Sequence, residues 1–180
     1  MQIVITTRHI LKALYVLAWI IFIGLCYEAG VWVFNPVVTM YYSESNVMYP
    51  GIHQLYHFDK GHYFTEIILI VIPAVLKAIL FYMIVKLLHD EKLNMNQPFN
   101  AATGRFLLTA AYISLGIGIF ALWAVKHTLW LETLGAKLPS IQTLSIAGGD
   151  VWLFMAVILF IVAQIFKRGI ELQAENDLTI

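Results

Sequence analysis

The stretch FTEIILIVIPAVLKAILFYMIVKLL, residues 64–88, holds Glu66, Lys77 and Lys86 as its charges and is otherwise almost wholly apolar. A helix rises ~1.5 Å per residue, so about 20 residues cross a ~30 Å hydrocarbon core. In lipid a crossing segment must pair its own backbone groups, which makes it helical. Pro73 lacks an N–H, leaves the Leu69 carbonyl without its partner and predicts a kink. Three further stretches, 10–34, 106–125 and 149–168, have the same character. The expected fold is all-α: an integral membrane four-helix bundle forming a single transmembrane domain over 1–180.

Composition supports lipid as the medium. Of the 180 residues 61% are hydrophobic and 12% charged, a content no water-soluble globule of this size carries. The formal net charge is zero, which gives no footprint for direct binding of nucleic acid. A single cysteine, Cys26, excludes an internal disulfide and any cysteine-based metal cluster. The first apolar run lacks a small-x-small cleavage site and is read as a permanent helix rather than a leader. Leu25 stands where a small residue would precede a lipidated cysteine, so a lipoprotein is not expected.

Basic residues at the span ends orient the bundle. Arg8, Lys12, Lys86, Lys92, Arg105, Lys167 and Arg168 fall on one side, against Lys60, Lys126 and Lys137 on the other. Cytoplasmic flanks retain Lys and Arg, so the N and C termini are both expected in the cytoplasm. Asn35 and Pro36 are expected to stop the first helix. The outer loop 35–63, rich in tyrosine and broken by Pro36, Pro50, Gly51 and Gly61, predicts short turns or a small hairpin at headgroup level. In the second outer connection, the apolar residues from Leu129 to Leu138 before Pro139 predict a short interfacial helix.

Lys77 is the most costly residue, since a charge at mid-span costs ~2.5–3.5 kcal/mol on insertion scales. Glu28 on the first helix is the preferred partner, about 9 Å further out by helix rise and within joint reach of the two side chains. Glu66 and Asp150 lie nearer the outer interface and are poorer candidates. Such a pair either lines a polar cavity or is simply locked in place. His53, His57 and His62 cluster in the outer loop; His53 and His57 share a face if that stretch is helical, which makes a weak metal site. His9, His89 and His127 sit at helix ends, which excludes a haem held between spans. Ala110, Ser114 and Gly118 form a small-residue stripe that lets a helix approach closely, within one bundle or between copies in a homo-oligomer. No HExxH, GxSxG, phosphate loop or carboxylate pair beside a base shares a face, so no catalytic residue, cofactor or enzyme activity is expected.

The cytoplasmic side reads NQPFNAATGRF in its loop and IFKRGIELQAENDLTI in the tail, of which 169–180 follow the last span. Asn100 is placed to cap the third span. Leu178 and Ile180 in a polar tail predict that Asp177, Leu178, Thr179 and Ile180 dock against Pro98 and Phe99 or against a cytoplasmic partner. Pro98-Phe99, the Phe166–Gly169 exit and the segments Glu171-Leu172-Gln173 and Asp177-Leu178-Thr179 resemble the bacterial membrane family called domain of unknown function 2975 (DUF2975). That resemblance implies a multi-pass protein of the bacterial inner membrane, often encoded beside a small helix-turn-helix regulator, and implies no activity. The functional expectation is a non-enzymatic interaction or sensing module in the lipid bilayer, with a cytoplasmic or membrane protein partner. A small transport or lipid-handling protein with a polar cavity at Lys77 and Glu28 is the alternative, and an outer-face metal-binding protein the third.

Overall fold

A computed structural model of the chain describes residues 7–41, 50–90 and 100–177. These form five helices: α1 (Thr7–Tyr41), α2 (Pro50–Phe58), α3 (Lys60–His89), α4 (Ala101–Thr133) and α5 (Gly149–Asp177). Four of them, α1, α3, α4 and α5, are long and apolar enough to cross a membrane. The predicted all-α bundle with four spanning helices is what the chain forms, and the described residues contain no strand.

Packing follows chain order: α1 lies on α3, α3 on α4 and α4 on α5, with α2 resting on α3. The central pair α3 and α4 is the most buried, while α1 exposes most of its surface. An apolar, exposed helix face is what lipid requires, so Leu17, Ile20 and Ile23 on α1 and Val151, Phe154 and Ile161 on α5 are lipid-facing rather than misplaced. One end of the bundle carries the start of α1 and the end of α5 and is called the terminal face here; the opposite end is the loop face.

Several boundaries differ from expectation. Helix α1 does not stop at Asn35 but runs through Pro36 to Tyr41. A proline inside a helix costs about 3 kcal/mol. Here tertiary anchors beside it offset that: Trp32 is 1% exposed in the core, and buried Asn35 Oδ1 accepts from Thr39 Oγ1 (3.3 Å) and from the Tyr63 hydroxyl on α3 (3.2 Å). Helix α3 starts four residues before the apolar stretch, because Asp59 caps it by accepting from the His62 amide at 2.8 Å. Helix α2 replaces the expected turns or hairpin with nine helical residues. The stretch from Leu129 continues α4 to Thr133 and is not a separate interfacial helix. Asn100 caps α4 as expected, accepting from the Thr103 amide at 2.8 Å.

The small-residue stripe is internal to the chain at Gly118. A Cβ there would stand 2.6 Å from Leu153 and 2.9 Å from the Gly149 carbonyl, both on α5. Gly149 in turn lies against Leu122. Helix α5 therefore begins level with Gly118–Leu122, whereas α4 runs on to Thr133, about 16 Å further by helix rise. The connection 134–148 covers that step by turning back along α4. Its Ala136, Leu144 and Ile146 are buried in one core with Ile67, Leu69 and Ile70 of α3 and Ala124 and Leu131 of α4. A second core nearer the terminal face joins Leu80, Ala110 and Ile117 with Trp152 and Leu159.

Candidate functional site

Two buried polar sets hold the loop-face half together, and both involve α3. The first centres on Glu66, fully buried one and a half turns into α3. Its Oε1 accepts from Thr128 Oγ1 at 2.6 Å and its Oε2 meets His127 Nδ1 at 2.5 Å, both from α4. Burying a carboxylate without partners is prohibitive, and two charge-assisted bonds with a cationic or polar neighbour compensate it. Thr128 Oγ1 also lies 2.9 Å from the Ala124 carbonyl. A hydroxyl has one proton, so it serves either acceptor but not both. The Thr128 hydroxyl thus has two alternative acceptors, Glu66 on α3 and the Ala124 carbonyl on its own helix. His62 extends the set toward the surface, its ring 5.7 Å from His127 and 5.1 Å from Trp130.

The second set is Lys77. The expected Lys77–Glu28 pair does not form: Lys77 Nζ donates instead to the Ser145 carbonyl at 3.0 Å, and no ion pair joins the two among the described residues. The reason lies in the packing order. Glu28 arrives on the α1 side of α3, whereas Lys77 turns toward the connection between α4 and α5, which sequence reading had placed at the membrane surface. A hydrogen bond from a charged donor contributes about 1.5–3 kcal/mol, comparable with the ~2.5–3.5 kcal/mol insertion cost of the lysine. Ser145 itself has φ 56, a left-handed conformation that costs a non-glycine residue about 1–2 kcal/mol. Its buried neighbours Leu144 and Ile146 hold it there, and that conformation aims its carbonyl at Lys77. Glu28 keeps a buried Oε1 with no hydrogen-bond partner.

The outer histidines divide between two places. His53 and His57 share a face of α2 with ring centroids 4.8 Å apart, while His62 belongs with His127 and Trp130. No group of three or more His, Cys, Asp and Glu side chains among the described residues is arranged to hold a metal ion, so the trio His53, His57 and His62 is not a metal centre in this arrangement. Of the residues expected to dock on the cytoplasmic side, Pro98, Phe99, Leu178, Thr179 and Ile180 lie outside the described residues, and Asp177 is described only as the last residue of α5.

A family model described as a protein of unknown function, DUF2975, matches residues 32–180. The chain belongs to the DUF2975 family. The match takes in α3, α4 and α5 whole, and with them Glu66, Lys77, His127, Thr128 and Ser145; Glu28 precedes it. No curated protein and no solved structure matches this DUF2975 member. Sequence reading missed the Glu66–His127–Thr128 set because its parts stand 61 and 62 positions apart. The available signal was Glu66 itself, a charge inside an apolar stretch that the Lys77–Glu28 pairing left unpartnered.

Proposed function

We propose that this multi-pass membrane protein is a non-enzymatic sensing and interaction module of the bacterial inner membrane, with its terminal face in the cytoplasm. The observation that carries the reading is the buried Glu66, His127 and Thr128 set, in which the Thr128 hydroxyl reaches one acceptor on α3 and another on its own helix. That set clamps α3 to α4 at the loop face, and the opposite ends of the same two helices flank one cleft at the terminal face. A change of bonding at one end shifts how the two rods meet at the other, which is what relaying a stimulus to a partner requires. The positive-inside distribution of Lys86, Arg105, Lys167 and Arg168 supports the orientation. The test is co-purification from membranes with chemical cross-linking. Truncation after Asn176, which removes Asp177–Ile180, is expected to abolish recovery of the partner while leaving helicity unchanged. Glu66→Leu, which leaves Thr128 only the Ala124 carbonyl, is expected to reduce recovery of the partner with the helices intact by circular dichroism. Unaltered recovery from both variants rejects the reading.

A transport role is the second reading, favoured by the buried, unpartnered Oε1 of Glu28. In liposomes Glu28→Gln and Lys77→Met are expected to remove ion flux if it holds, and full flux in both rejects it.

A further inference from the structure

At the terminal face, α3 and α4 part to form an open cleft of about 330 Å³. It is lined by the polar Lys86, Arg105, Tyr82, Thr109 and Asp90 together with the apolar Met83, Leu87 and Phe106. The helix register explains why the polar groups meet. Leu76 packs at Gly116 and Glu66 at Thr128, so α3 and α4 run antiparallel with residue numbers summing to about 192–194. Lys86 therefore stands within a turn of Arg105, and Tyr82 within a turn of Thr109. Two cations are thus brought to one cleft lined by a single carboxylate among the described residues, and no ion pair among those residues neutralises either cation. On the same face Arg168 of α5, by contrast, is paired, with Glu171 at 3.1 Å and Glu175 at 3.9 Å.

Like charges held side by side repel, and an anion between them removes that penalty. The first turn of α4, which lines the cleft at Ala102, adds the positive end of a 33-residue helix. The apolar lining selects among anions. Along their helices Met83 precedes Lys86 and Phe106 follows Arg105 on the way into the span, so the cleft turns apolar in the direction a lipid's acyl chain would run and where a free ion has nothing to gain. We propose that this cleft binds the phosphate of an anionic phospholipid, with Lys86 and Arg105 on its oxygens, Tyr82 beside them as a hydroxyl donor and the acyl chain against Met83, Leu87 and Phe106.

The full chain, reconstituted into nanodiscs of phosphatidylcholine with or without phosphatidylglycerol, is extracted and its retained lipid measured by native mass spectrometry. The wild type is expected to keep phosphatidylglycerol in preference to phosphatidylcholine. The double variant Lys86→Gln, Arg105→Gln is expected to lose that preference by about tenfold or more, given roughly one decade for two near-surface cations. A control with the same loss of charge, Lys12→Gln with Lys167→Gln, is expected to keep it. Circular dichroism checks that all variants fold, and a conservative Lys86→Arg is expected to restore retention if Lys86→Gln alone weakens it. Equal losses in both double variants would mean diffuse attraction and overturn the site. Inorganic phosphate bound in detergent with no preference among lipids would assign the cleft to a free anion and overturn the lipid.

Discussion

Glu66 is the residue on which the loop-face half turns. Replacing it with leucine leaves His127 without its buried partner and Thr128 with only the Ala124 carbonyl, and is expected to cost about 1–3 kcal/mol, read as an earlier thermal unfolding midpoint in detergent. Glu66→Gln keeps an acceptor for Thr128 and is expected to cost less. Gly118→Ala is expected to destabilise by about 1–3 kcal/mol, because the new methyl meets the Gly149 backbone as well as the Leu153 side chain. Gly24→Ala, where a Cβ meets nothing within 4 Å, serves as the paired control and is expected to be neutral or mildly stabilising. At this scale the sequence was partly legible. Lys77 announced itself as a charge in need of a partner, but its partner is a backbone carbonyl, and every residue offers one of those. Nothing in the letters around Ser145 marks its carbonyl as the one that turns inward.

Among the elements, the spanning helices were readable because lipid leaves an apolar stretch no alternative to a helix. Their ends were less so. Pro36 stops a helix on local grounds, yet Trp32, Asn35 and Thr39 tie the chain on both sides of it into packing with α3, and tertiary contacts outweigh the local rule. The connection 134–148 was misread for a related reason: its apolar residues suggested a surface helix, whereas they fill the core above the start of α5. Its geometry makes its own prediction. Glycine accepts the left-handed conformation that Ser145 adopts at φ 56, so Ser145→Gly is expected to stabilise by up to about 1 kcal/mol, and Ser145→Val to destabilise and open the connection to protease. Limited proteolysis with mass mapping of fragments distinguishes the two.

For the whole molecule, the serial packing of α1 on α3, α3 on α4 and α4 on α5 sets which helices can be joined. In a Cys26→Ser background, a short bis-thiol reagent is expected to link Phe22→Cys to Tyr82→Cys and Tyr112→Cys to Phe160→Cys, since those rings meet at 5.9 Å and 5.0 Å. Phe22→Cys with Phe160→Cys is expected to give no intramolecular product. A gel band at twice the mass from that last pair would report lateral assembly through the flanking helices.

The late start of α5 leaves the flank above it to non-helical chain. For some 16 Å past the level of Gly149 the neighbour of α4 is the connection 134–148, whose backbone cannot pair along its own axis as a helix does and so has to be kept from acyl chains. Burial of Ala136, Leu144 and Ile146 against α3 and α4 does this on the inner side. On the outer side water and headgroups have to reach down to it, which makes the protein sensitive to acyl-chain length.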